Sequence, residues 1–238
     1  MQREINAQVY DQNVLLEGIQ TQIDNYYEPK SLAQQRRIKI VMSVLAAQAE
    51  EKILDIGSGV GTFAYAGAKC KAVVFGIDYS HESMKVATLL ADKFNTKNKS
   101  FFITASALAL PYQNACFDKI VCADFIEHIT DTEKNKLLTE IYRVLKPSGM
   151  GVIFTPNLIR EKIGKIYHRI RNLLFKTRIP ETDLHFGLIT KSCFDVMLKN
   201  NGFNFDFFYA DTTRPYLAKI PFLNNFLALN LIWIIRKK

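Results

Sequence analysis

Three glycines and two aspartates stand out in this chain of 238 residues, because their types and spacing suit a ligand site. The segment Ile53–Ala64 reads ILDIGSGVGTFA: Gly57, Gly59 and Gly61 follow a short apolar run and lead into a helical pattern. Glycines let the chain turn sharply there, and their missing Cβ atoms let a ligand approach the backbone closely. Such a turn directs backbone N–H groups toward a ligand at the carboxyl edge of a parallel sheet. Asp55 stands just before the glycines. Asp78 ends the next apolar run, where a carboxylate can accept hydrogen bonds from both hydroxyls of a ribose. A dinucleotide turn is spaced GxGxxG and cradles a pyrophosphate, whereas this one is spaced GxGxG. A carboxylate at Asp55 repels a pyrophosphate and welcomes a cationic amino-acid group. The fitting ligand is a nucleoside that carries positive charge. The plainer role for Asp78 is to cap the following helix, although Ser80 is better placed for that.

The elements that must position these residues are legible in the hydropathy pattern. From about Glu51 onward, short β-branched runs alternate with helical patterns, which predicts a parallel sheet flanked by helices. Strands are expected at Lys52–Ile56, Ala72–Asp78, Ser100–Ala105, Lys119–Asp124 and Gly151–Thr155. Several are almost continuously apolar, as strands covered on both faces should be. Helices are expected at Thr62–Lys69, His81–Phe94 and Asp131–Leu145. The last opens on a capping box, Thr130 with Glu133, and stops at Lys146–Gly149 (KPSG). A helix over Thr190–Asn200 closed by Asn201-Gly202, an aromatic strand at Phe203–Tyr209 and a final run at Leu231–Ile235 predict an antiparallel edge. Asp118 and Lys119 read as surface turn residues, and Cys116 and Cys122 as packing residues. The expected organisation is a helical cap over residues 1–50, with a helix near Ser31–Ala47, then one α/β domain over 51–238.

These features together resemble the class I S-adenosylmethionine-dependent methyltransferases, and the resemblance covers roughly Glu50–Gly202. It is carried by DIGSGVG, by FGIDYS, by LALPYQNACFDKIVCADFIEHI (Leu108–Ile129) and by LLTEIYRVLKPSGM (Leu137–Met150). The subgroup with an Glu-His pair after the fourth strand, which includes ubiquinone and menaquinone biosynthesis methyltransferases, is the nearest in pattern. The resemblance implies a Rossmann-like, mostly parallel seven-stranded sheet with an antiparallel last strand and helices on both faces. It implies S-adenosyl-L-methionine as cofactor, with Asp55, Gly57, Ser58, Gly59 and Gly61 around its methionine part and Asp78 on the ribose. Tyr79 would lie against the adenine, and Asp124 and Phe125 beside the cofactor. The family places an acid near the end of the third strand for the adenine amino group. Here Ser106 and Ala107 occupy that place, and a serine accepts a weaker hydrogen bond.

The implied reaction is methyl transfer to a small or lipid-linked metabolite, most simply at a hydroxyl oxygen. Alignment of the acceptor carries much of such a reaction, and a base near neutral pKa assists a hydroxyl. Of the four histidines, His81 starts a helix and His168 lies in a basic segment. His128 follows the fourth strand, and His185 lies in DLHFGLIT, before a helix start that recurs in the family. These two are the candidate bases, with a structural hydrogen bond as the alternative for each. Asp124, Glu127, His128 and Asp131 could instead gather around a divalent cation, but acids after a strand are common and no metal is expected.

Composition narrows the rest. The chain is 48% hydrophobic and 23% charged, the profile of a globular protein with a real core. Four cysteines without ligand spacing read as reduced thiols in a cytoplasmic protein. The start lacks the apolar core of a secretory signal, and no apolar run reaches spanning length. The net charge of +8 is concentrated: Leu158–Arg178 holds seven Lys/Arg and one Glu. Its isoleucines and leucines fall on one helical face, with the cations mostly elsewhere. This insertion, at about 157–185, reads as a lid over the active site or as a peripheral membrane contact. Nucleic acid is disfavoured, because the rest of the chain is nearly balanced and no Asn/Asp-Pro-Pro-aromatic motif follows the fourth strand. A nucleic-acid methyltransferase and a catalytically silent cofactor-binding subunit are the rival readings.

Overall fold

The computed structural model describes residues 7–175, 186–220 and 222–238. Two helices, α1 (Ala7–Gln22) and α2 (Leu32–Leu45), precede the sheet. Then follow β1 (Lys52–Ile56), α3 (Thr62–Lys69), β2 (Val73–Asp78), α4 (His81–Lys93), β3 (Ser100–Thr104) and β4 (Phe117–Ala123). The second half holds α5 (Asp131–Val144), β5 (Leu145–Pro156), α6 (Leu158–Phe175), α7 (Lys191–Asn200), β6 (Phe203–Ala210), α8 (Asn224–Leu227) and β7 (Asn230–Lys237).

The strands form one sheet in the order β3-β2-β1-β4-β5-β7-β6. The first five are mutually parallel, and β7 runs antiparallel between β5 and β6. The antiparallel pair expected from the last two apolar runs is therefore present, with β6 outermost. Side-chain alternation places the apolar residues of β1 on both faces of the sheet. Ile53 packs with Val41, Leu45, Val74 and Val121 on one face, while Leu54 and Ile56 pack with Ile120, Leu138 and Trp233 on the other. Both faces are buried, and Asp55 is the one buried polar residue of this strand, held by the N–H of Ala64.

Helix starts follow their capping chemistry. Ser80 caps α4 by accepting from Ser83 N, Thr190 caps α7, and Thr130 with Glu133 closes both halves of the capping box on α5. The segment Lys146–Gly149 differs from expectation. Helix α5 ends at Val144 and β5 begins at once, so these residues lie inside the strand as an irregularity between the Phe117↔Leu145 and Lys119↔Met150 pairs. A Cβ on Gly149 would stand 2.8 Å from Asp118 O, which leaves room there for glycine only. Asp118 and Lys119 also differ from the turn expected for them. Strand β4 starts earlier, at Phe117, and Lys119 is buried, pairing with Glu51 at 2.8 Å and donating to Ala46 O. Cys122 is buried in the core, as a packing residue should be.

The N-terminal part carries more structure than the helix expected near Ser31–Ala47. Helix α1 bends at Gly18 (φ 70°, ψ 156°) and continues through a π turn at Ile23–Tyr27. Tyr27 stacks on Tyr65 and Phe94 at 4.7 and 5.0 Å, and its hydroxyl donates to Val60 O. This anchors the segment over the glycine turn. Among the described residues, no helix is long and apolar enough to cross a membrane.

Candidate functional site

Adjacent strands β1 and β4 send their connections to opposite sides of the sheet, and a crevice opens at their carboxyl ends. The glycine turn forms one wall. Gly57, Gly59 and Gly61 have φ values of +67°, +50° and +93°, a region that side chains disfavour. A Cβ on Gly57 would come within 2.5 Å of the Phe125 ring, whereas Gly59 faces open space. Ser58 N donates to Ile77 O and Gly61 N to Ser58 O, so the turn is held from both sides.

Asp78 completes this wall. Its carboxylate accepts from Gly59 N and Ser80 N, each at 2.9 Å. The Gly59 N–H expected to face a ligand is thus engaged by Asp78. Burial raises the Asp78 carboxyl above the usual aspartate range, against the N–H bonds from Ser80, Gly59 and Tyr79. Helix α4 is capped by Ser80, so the carboxylate is left to the crevice and the turn.

Asp55 sits beneath the turn rather than in the crevice. It is 1% exposed and accepts from Ala64 N at 3.1 Å. Desolvation pushes its carboxyl up to about 7, although that N–H and Arg37 favour the ionised form. Its influence on a ligand is therefore through the field and the turn.

The cavity at this edge has a volume of about 670 Å³. From the expected residues it brings together Gly57, Ser58, Gly59, Asp78, Tyr79 and Ser106, and also Ala107, Asp124, Phe125 and His128. Asp55 and Gly61 are not among its lining residues. His128 ends the short 3-10 turn Ile126–His128 after β4. His81 lies apart, against Thr104 Oγ1 at 3.2 Å. His185 lies outside the described residues, as does the side chain of His168.

The acids after β4 diverge. Asp124 pairs with Arg37, Glu127 accepts from Thr155 Oγ1 at 2.9 Å, and Asp131 pairs with Lys134. Among the described residues, no group of three or more His, Cys, Asp or Glu could hold a metal ion. Glu127 is 1% exposed, and burial together with the Asp124 charge pushes its carboxyl well above the usual range. Its backbone carbonyl accepts from Gly187 N at 2.7 Å, in a contact where a Cβ on Gly187 would collide with Ile129 O.

Sequence reasoning missed the N-terminal contribution. Val14, Glu17, Gln22 and Tyr26 line the cavity from α1 and the π turn, and Arg37 enters from α2. Arg37 Nε donates to Asp124 Oδ2 at 2.5 Å, and its guanidinium lies 4.9 Å from the centre of the Phe63 ring. Arg37 Nη1 is buried without a hydrogen-bond partner among the described residues. Asp124, which holds this arginine, has a left-handed backbone (φ 54°). Such strain in a non-glycine residue persists where surrounding structure enforces it, as at ligand sites. One signal was available: Arg37, Val41 and Leu45 share a helical face, so the arginine stands in line with buried residues.

A parallel sheet of this order, with an acid-preceded glycine turn at its centre and a carboxylate ending the next strand, defines a class. On these features the chain resembles the class I S-adenosylmethionine-dependent methyltransferases. Residues 53–149 match the family described as a methyltransferase domain. A ubiquinone biosynthesis O-methyltransferase of Psychrobacter arcticus is 32% identical over 111 residues, which cover 46% of this chain and 42% of that protein. A norajmaline N-methyltransferase of Rauvolfia serpentina is 36% identical over 110 residues, covering 44% of this chain and 36% of the relative. The chain spans less than half the length of the curated relatives it matches. Over the whole fold, the [4+2]-cyclase SpnF superposes with a TM-score of 0.70 at 17% identity, covering 97% of this chain and 95% of that one.

Proposed function

We propose that this protein transfers the methyl group of S-adenosylmethionine to a hydroxyl oxygen of a small or lipid-linked acceptor. The observation that carries this reading is the convergence, in one cavity, of the glycine turn, the Asp78 carboxylate and a buried arginine with an unpartnered nitrogen. Fold alone would not select the chemistry, since the cyclase SpnF shares it.

The residues fit the cofactor part by part. Arg37 Nη1 offers a charged donor for the methionine carboxylate, in a setting already neutralised at Nε by Asp124. The open side of Gly59 admits the ligand close to the backbone. Asp78 takes the ribose hydroxyls in exchange for its bond to Gly59 N. Tyr79, 57% exposed at the cavity, offers a ring face to the adenine, with Ser106 and Ala107 on the far side of that end. Asp78 supplies negative potential that favours a sulfonium over a neutral analogue, and Asp55 adds to it when ionised.

When bound, S-adenosylmethionine supplies a methyl group already activated by its sulfonium. The chain's own task is to align the acceptor and exclude water, which α1 and Tyr26 serve by covering the cavity. His128 lines the same cavity and takes the proton of the acceptor hydroxyl as its oxygen forms the new bond to carbon. His185 is the alternative base.

The test is turnover with S-adenosylmethionine and a panel of phenolic, sugar and amine acceptors, read by mass spectrometry. Methylated hydroxyl products together with S-adenosylhomocysteine are expected. Transfer to amines with none to hydroxyls would contradict the oxygen assignment.

A further inference from the structure

We propose that α6 and the segment 215–227 form one surface that docks this protein on an anionic lipid bilayer, with the cavity edge of the sheet toward the membrane. Two residues of the apolar stripe expected on α6, Ile163 and Ile166, are 40% and 57% exposed. Beside it, Phe222, Leu223 and Phe226 are 94%, 51% and 48% exposed. The two pieces are locked together at their base. Buried Asn157, just before α6, donates from Nδ2 to Asn225 O and Ala228 O and from its backbone N to Leu229 O. Phe222 has a left-handed backbone (φ 64°), a conformation that bulky residues rarely adopt.

Charge selects the occupant. Helix α6 carries Arg160, Lys162, Lys165 and Arg171 against Glu161, and the stretch 212–227 has Arg214 and Lys219 with no acid. A second copy of this chain would set the same cations against themselves across a two-fold axis. An anionic bilayer satisfies both parts, because its acyl region takes the rings and its head groups take the cations. The lid alternative is weaker, since none of the cavity's lining residues among those described comes from α6.

The position of the surface gives it a purpose. The Pro156↔Asn230 pair places the start of α6 and the end of α8 at the edge where β1, β2 and β4 end. This is the edge at which the cavity lies, so docking there presents the cavity to an acceptor held in the membrane. That last step rests on the methyl-transfer reading, but the docking itself does not.

The experiment is cosedimentation of the full chain with phosphatidylcholine vesicles, plain or containing about a third phosphatidylglycerol, at low salt. Binding to the anionic vesicles is expected, with about a fivefold loss for each of Lys162→Gln and Lys219→Gln. The double variant Ile166→Asp/Phe222→Asp should bind at least about tenfold more weakly, with an unchanged circular dichroism spectrum. Absence of binding at low salt, or binding untouched by these variants, would overturn the proposal. So would a concentration-dependent dimer that Phe222→Asp abolishes, which would assign the surface to a second copy. S-adenosylmethionine calorimetry on the same samples reports on the cofactor site alone, so the two readings fail separately.

Discussion

At the residue scale, the site is a set of buried charges whose environment decides what they attract. Arg37 is the most specific of them, because its Nη1, buried without a partner among the described residues, loses its hydration and gains nothing until a ligand anion arrives. Arg37→Ala should weaken S-adenosylmethionine binding by roughly ten- to a hundredfold, the worth of one or two charged hydrogen bonds. Arg37→Lys should recover only part of this, since a lysine cannot hold Asp124 and a carboxylate in one plane. Calorimetric titration measures both. Equal affinity in wild type and Arg37→Ala would remove Arg37 from the site.

Asp55 contributes to the pH dependence, alongside Asp78 and Glu127, whose carboxyls burial also raises. Its folded-state pKa is raised to about 7 by burial, so the folded protein keeps a proton that the unfolded chain has released. The stability tied to the neutral form is therefore full below about pH 4 and is lost as the pH rises to about 7, after which the loss levels off. Asp55→Asn stays neutral throughout. Its melting temperature relative to wild type should climb across that window, measured by thermal unfolding without ligand. A difference that does not change with pH would show that Asp55 is ionised in the folded protein. The glycine turn and Asp78 were legible from local spacing alone. Arg37 was not, because its partner Asp124 is 87 residues away and no local pattern links them.

At the element scale, the sheet and its helices were readable because burial on both faces leaves a continuous apolar mark. Expected and observed strands coincide at β1 and differ by a residue or two at β2, β3 and β4. The larger miss, the early start of β5, arose where glycine and proline in KPSG read as a turn but serve an irregular strand pairing. Helix α1 left no such mark. It is interrupted at Gly18, and Leu15, Leu16 and Ile19 on it are exposed, so its hydropathy does not trace the face it buries. What holds it is a polar latch: Asp11 accepts from Ser80 Oγ at 2.6 Å and from Glu82 N at 3.1 Å.

Opening that latch should free the cover without unfolding the domain. Asp11→Ala is expected to raise the S-adenosylmethionine dissociation rate several-fold while leaving the melting temperature nearly unchanged, as stopped-flow fluorescence and thermal unfolding would show. Thr130→Ala is the contrasting case. It removes the α5 capping box and should cost about 1 kcal/mol in urea unfolding, with no effect on the dissociation rate. If Asp11→Ala released ligand no faster than Thr130→Ala, α1 would not be a cover for the site.

At the scale of the whole molecule, one sheet edge gathers everything the chain needs for the proposed activity. The glycine turn, Asp78, Asp124 and His128 all lie at carboxyl ends of parallel strands, and the α6–α8 surface adjoins that same edge. This concentration follows from topology, of which sequence periodicity made the parallel sheet and its flanking helices plain and the family resemblance implied the seven-stranded arrangement. The acceptor leaves no comparable mark, because no motif of the sequence specifies its chemistry.

The central claim is that this edge holds S-adenosylmethionine, and direct calorimetric titration of the purified protein tests it best. One ligand should bind per chain in the wild type, and Asp78→Ala, with an unaltered circular dichroism spectrum, should bind about a hundredfold more weakly through loss of the ribose hydrogen bonds. No measurable binding by the wild type, or equal binding by both proteins, would contradict the account.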